Sequence, residues 1–236
     1  MAGADHNDPV CRRSVTATGN TIIHNAPTQY TAAEEKIHAG SHGAGLLLSI
    51  AGLVWMLNLS FGAADVWRIV ASGIYGFSLI SLFLTSTLYH GLHDSPRRDL
   101  FKLLDHCAIY VLIAGSATPF LLVTLRGDTS WWLLGAMWAM AVAGILGKVR
   151  YGHAYPRLSL ASYLLMGWLM VIVLPELSDV IDSNGMAWLV ASGLSYTVGA
   201  AFYAAKSVRF SHTIWHLFVL AGAACSFFAV VWYVLP

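Results

Sequence analysis

Seven apolar stretches, each long enough to cross a bilayer, constrain this chain more than any other feature of its sequence. They cover residues 43–62, 69–90, 103–125, 130–147, 158–175, 186–204 and 212–234. A hydrocarbon core about 30 Å thick is crossed by about 20 apolar residues at ~1.5 Å per residue of helix. The runs are unbroken and do not alternate strictly, so helices are expected rather than barrel strands. Composition points the same way: 57% of the residues are hydrophobic and only 11% charged, too little charge to cover a soluble surface. The expected fold is all-α, a seven-transmembrane helix bundle over residues 41–236 preceded by a polar tail, residues 1–40. Near the end of that tail, TAAE (Thr31 to Glu34) has the spacing of a capping box and predicts a short surface helix. No signal-peptide pattern precedes the first run.

Basic residues set the expected orientation. With seven spans, one side of the membrane holds the tail and the loops after spans 2, 4 and 6. That side carries Arg12, Arg13, Lys36, Arg97, Arg98, Lys102, Lys148, Arg150, Arg157, Lys206 and Arg209. The other side has Arg68 and Arg126 alone, and its loops are acidic: Asp65, Asp128, Glu176, Asp179 and Asp182. Positive charge is retained on the cytoplasmic side, which predicts the N-terminus inside, the C-terminus outside, and a multi-pass cell-membrane protein. A net charge of +1 offers no basic surface for nucleic acid. Three cysteines, Cys11, Cys107 and Cys225, are too scattered for a disulfide framework.

On this topology all ten histidines avoid the outer face. The seventh run opens with SHTIWH, whose His212 and His216 stand four apart and share a helix face. His38 and His42 have the same spacing, which makes the pair alone a weak signal; they fall in the tail or at the inner end of span 1, where His42 is expected to contact headgroups, with an outer hydrogen bond toward the metal site as the lesser alternative. Span 2 ends STLYH, placing Ser86 and His90 on one face at the same depth. Span 3 opens KLLDH, placing Asp105 just inside the membrane, where a carboxylate is costly and usually faces a bundle interior. His90, His212 and His216 would supply three neutral nitrogens, with water as the fourth ligand, the arrangement of a catalytic zinc. Asp105 would orient water and act as general base, and Ser86 would hydrogen-bond that water or a substrate oxygen. His93, His106 and His153 are expected at the rim, and Ser192, Ser195 and Tyr196 as helix packing, with a water-lined cavity as the lesser alternative.

These residues carry a family resemblance. STLYH, LLDH, the AGSATPF stretch after it, HTIWH and the EKIHAGSHGAG segment make the chain resemble the hemolysin III family, bacterial relatives of the progestin and adipoQ receptors and of alkaline ceramidases. The resemblance implies Zn2+ held by His90, His212 and His216, with Ser86 and Asp105 beside it, and a membrane lipid amide or ester as substrate. It also leaves two alternatives. One is a non-catalytic, receptor-like regulator in which zinc braces the helices; the other is a cytolytic pore. A pore needs polar residues through the full membrane depth, and spans 1 and 7 are almost wholly apolar beyond the inner rim.

Overall fold

In a computed structural model, residues 30–236 are described, and the segment from Ala32 onward forms a bundle of helices. Seven are long and apolar enough to span a membrane: span 1 Ala32–Gly62, span 2 Val66–Gly91, span 3 Arg98–Leu125, span 4 Asp128–Tyr151, span 5 Pro156–Val180, span 6 Ser183–Ala204 and span 7 Ser211–Tyr233. There is no strand among the described residues. Inside a bilayer each backbone N–H and C=O must find its partner within the segment, which is why the apolar runs become helices.

Local signals mark the ends. Asp65 caps span 2 by accepting from the Trp67 amide at 2.9 Å, and Asp182 caps span 6 by accepting from the Asn184 amide at 2.8 Å. Such caps contribute about 1 kcal/mol each. Pro156 opens span 5, where its missing N–H costs nothing. Pro119 lies within span 3, where a residue without an N–H and with a ring against the preceding turn kinks a helix or frees a carbonyl. The helix there changes register into a π-helical turn, Phe120–Leu125.

Span 1 differs from the sequence expectation in its length. It starts at Ala32 and runs without a break to Gly62, so the TAAE signal opens the membrane helix itself rather than a separate surface helix. The reason is physical: its first turns carry buried polar side chains, which a hydropathy window reads as aqueous tail.

Spans 1, 2 and 7 pack side by side, span 3 packs on span 2, span 4 on span 3, and span 6 on span 7. Small residues permit the closest of these approaches. A Cβ at Gly45 in span 1 would lie 2.7 Å from Leu220 of span 7 and 2.8 Å from Phe83 of span 2, so only glycine fits where the three helices converge. Span 5 packs more loosely. The space that it leaves against spans 3, 6 and 7 becomes the cavity described next.

Candidate metal centre

Span 1 brings Glu35, His38 and His42 to one helix face, because spacings of three and four residues match the helical turn. All three are buried, and His38 is 0% exposed. Opposite them, span 2 offers Ser86 and His90 and span 7 offers His212 and His216. Four imidazoles therefore meet in the interior. Their ring centroids lie 4.7 Å apart for His38–His90, 4.8 Å for His38–His212, 4.8 Å for His38–His216, 5.2 Å for His90–His212, 4.9 Å for His90–His216 and 4.7 Å for His212–His216.

The nitrogens converge as well. His212 Nε2 lies 3.3 Å from His90 Nε2 and 3.1 Å from His216 Nε2. One ring nitrogen from each of His38, His90 and His212 lies within 4.8 Å of the other two, a grouping that could hold a metal ion. The structure thus places the three histidines singled out in the sequence together, and adds His38 to them. His38 and His42 leave the tail or rim position that their location in the chain predicted. Depth in a bilayer cannot be read from a polar segment whose helix begins earlier than its apolar run.

The surrounding contacts fix ring orientation. His90 Nδ1 donates to Glu35 Oε2 at 2.6 Å. The other oxygen of Glu35 accepts from the Arg98 guanidinium, which lies over the Tyr89 ring at 5.4 Å. A neutral imidazole carries one N–H; with that proton held on Nδ1 by Glu35, His90 Nε2 presents a lone pair to the cluster. His38 Nε2 and Thr213 Oγ1 share a hydrogen bond of 2.8 Å. His42 stacks on His216 at 3.7 Å, with 21° between the ring planes, and its Nδ1 hydrogen-bonds Ser86 Oγ at 2.7 Å. His216 Nδ1 and His42 Nε2 are buried without a hydrogen-bond partner. Glu35 escaped the sequence reading altogether. The signal available for it was a glutamate one helical turn before His38 on the same face.

Ser86 and Asp105 stand beside this cluster at the wall of a cavity of about 260 Å³, and their side chains interact with each other. His42, His106, His212 and His216 share that wall. Asp105 is largely buried and lies 3.4 Å from His106 Nδ1, which donates to the Lys102 carbonyl at 2.8 Å. His106 is therefore a cavity residue and not the rim residue expected. Its ring also meets His153 at 4.8 Å. Beyond the polar end the lining turns apolar, with Ile109, Ile113, Phe120, Leu164, Leu189 and Val219 along spans 3, 5, 6 and 7. Ser192 and Tyr196, expected as packing, line it too, although Ser192 spends its hydroxyl on the Gly222 carbonyl at 2.8 Å. From His216 to Ser226, another lining residue, ten helical residues carry the cavity over about 15 Å.

Comparison with known proteins gives a consistent picture. A family model described as haemolysin-III related matches residues 30–227, a range that includes every residue of the cluster. Hemolysin-3 of Bacillus cereus is 42% identical over 203 residues, covering 86% of this chain and 93% of that protein. A Hemolysin-3 homolog of Bacillus subtilis (strain 168) is 41% identical over 204 residues, covering 86% and 96%. The human monocyte to macrophage differentiation factor is 29% identical over 210 residues, covering 86% and 84%.

Proposed function

From the geometry of the histidine cluster, and from the haemolysin-III-related family to which this chain belongs, we propose that the protein is a zinc-dependent hydrolase of a membrane lipid amide or ester. It is an integral, multi-pass protein of the cell membrane. The observation that carries the reading is the position of the imidazole cluster, with Asp105 and Ser86, at the polar end of an otherwise apolar cavity.

The donor set fits zinc. Zinc–nitrogen bonds of about 2.0–2.1 Å put neighbouring nitrogens of a tetrahedral shell ~3.3–3.4 Å apart. The Nε2 atoms of His90, His212 and His216 are spaced at 3.1 and 3.3 Å along the chain of contacts that joins them. Nitrogen-rich ligation also favours zinc over magnesium or calcium. When bound, the metal would polarise a carbonyl and lower the pKa of water.

The chain's own residues supply the rest. The apolar faces of spans 3, 5, 6 and 7 hold the acyl chain, and their exclusion of water strengthens the electrostatics at the polar end. Asp105 takes the proton of the attacking water and returns it to the leaving amine or alcohol. Ser86, oriented by His42, donates to the substrate oxygen. The positive-inside count assigns this end of the bundle to the cytoplasmic face, so the reacting group would sit at the inner leaflet.

Metal analysis of purified wild-type protein beside His216→Ala, together with turnover of a panel of lipid amides and esters, tests the reading. Stoichiometric zinc that is lost in the variant, with hydrolysis lost alongside it, is expected. Equal metal in both would refute the ligand assignment. Zinc without a hydrolytic product from any lipid would favour the second reading, a receptor-like regulator braced by metal.

A further inference from the structure

Six ring-to-ring distances among His38, His90, His212 and His216 fall between 4.7 and 5.2 Å. Four points with six nearly equal separations are the corners of a near-regular tetrahedron. A tetrahedral shell with metal–nitrogen bonds of about 2.0–2.1 Å places its ring centroids ~5 Å apart. The four ring centres thus sit at the corners of a tetrahedron; His38, His90 and His212 each bring one nitrogen within 4.8 Å of the other two, and His216 Nε2 lies 3.1 Å from His212 Nε2.

His38 meets the chemical requirement as well as the geometric one. Its Nε2 is engaged by Thr213 Oγ1 at 2.8 Å, and a metal-ligating histidine commonly makes such an outer contact through the nitrogen that is not on the metal. With the Nε2 proton donated to the hydroxyl, Nδ1 carries the lone pair. His90 is held in the complementary way, Nδ1 to Glu35 and Nε2 to the cluster. His38 is also 0% exposed, too deep to serve as a headgroup contact.

We propose that His38 is a fourth metal ligand, which closes the shell at rest and leaves it when water or substrate takes its place. The proposal rests on the metal-site reading above and adds a consequence to it. A closed shell protects bound metal, whereas a hydrolytic one needs an open position. Span 1 would then control access: His38 is the one cluster ligand it carries, and Thr213 is the residue that holds the displaced ring next to span 7.

Cobalt(II) replaces the native ion in the test, because its ligand-field spectrum and its paramagnetic shifts report the shell without reference to activity. Wild-type protein in detergent is stripped and reloaded with cobalt, and its hyperfine-shifted imidazole N–H resonances are counted. Four are expected; three would overturn the proposal and leave a three-histidine site standing. His38→Asn should weaken cobalt affinity on the order of 100-fold or more, beyond the ~10-fold expected for Thr213→Val as an outer contact. His38→Gly supplemented with imidazole should recover the wild-type spectrum. An unaltered spectrum and affinity in His38→Asn would also overturn the fourth-ligand assignment. Failure of wild-type protein to bind cobalt at all would instead overturn the metal site itself, so the two readings fail separately.

Discussion

Two halves of the bundle are built on different principles. Spans 1, 2 and 7 meet through buried polar side chains: Glu35, His38, His42, Ser86, His90 and His216 are all 3% exposed or less. Span 5 meets its neighbours with far less contact; 11% of its apolar stretch is buried, against 50% for span 2 and 44% for span 7. Lipid tails solvate leucine as well as a neighbouring helix does, so apolar surface alone draws transmembrane helices together only weakly. Hydrogen bonds and close-packed small residues specify the polar half. The apolar half has little to hold it shut, and it surrounds the cavity. A close-packed histidine cage stands beside a loosely packed apolar cavity, and the two should respond differently to substitution.

Removing a ring from the cage should have the largest effect. His212→Ala is expected to abolish stoichiometric metal binding and any hydrolysis, and to lower the melting temperature; metal analysis and thermal unfolding on the same preparation check it. Asp105→Asn should separate chemistry from the cage. Turnover should fall by about 10²–10⁴-fold, the usual range for a lost general base, while bound metal stays at the wild-type level. Glu35→Gln removes the anionic acceptor of the His90 N–H, and metal affinity should drop by about 10–100-fold in a competition titration.

Changes in the loosely packed half should leave the cage untouched. Ile113→Trp narrows the cavity; it should cut turnover of long-chain substrates about 10-fold relative to short-chain ones at constant metal content. Equal losses on both chain lengths would mean that this cavity does not hold the acyl chain.

The smallest effect concerns the loop between spans 4 and 5. His153 there is held down to about 4 from its ordinary 6.5, first by burial and then by the nearby Lys102 and Lys148 charges. The unfolded chain protonates first, so the stability that His153 contributes is fully present above pH 6.5 and is lost as the pH falls toward 4. Melting wild type and His153→Gln at pH 7.5 and pH 5 should show a wild-type loss a few degrees larger than the variant's. Parallel losses would remove His153 from the account.

Much of the candidate site can be read along the chain, and the part that cannot has a definite cause. His212 and His216, or Ser86 and His90, lie within one helix each, and the helical period places each pair on one face whatever the tertiary fold. Asp105 stood out because a carboxylate at membrane depth needs a reason. His38 and Glu35 did not stand out. They precede the apolar run of span 1, and nothing local distinguishes a polar residue in a tail from one on the buried face of a helix that begins early. His106 was misplaced at the rim for a related reason, since its direction depends on where spans 5 and 6 leave a cavity.

The sequence by itself determined the seven spans, the intrahelical pairs and the family to which they belong, because hydrophobic length and helical period are local properties. Only the tertiary structure decided that span 1 lies between spans 2 and 7, that its Glu35 anchors His90, and that four imidazoles stand at tetrahedral distances. Those facts depend on which helices touch and at what height. Close approach at Gly45 and the matching of buried donors to acceptors settle that, and neither has a signature in a single stretch of chain.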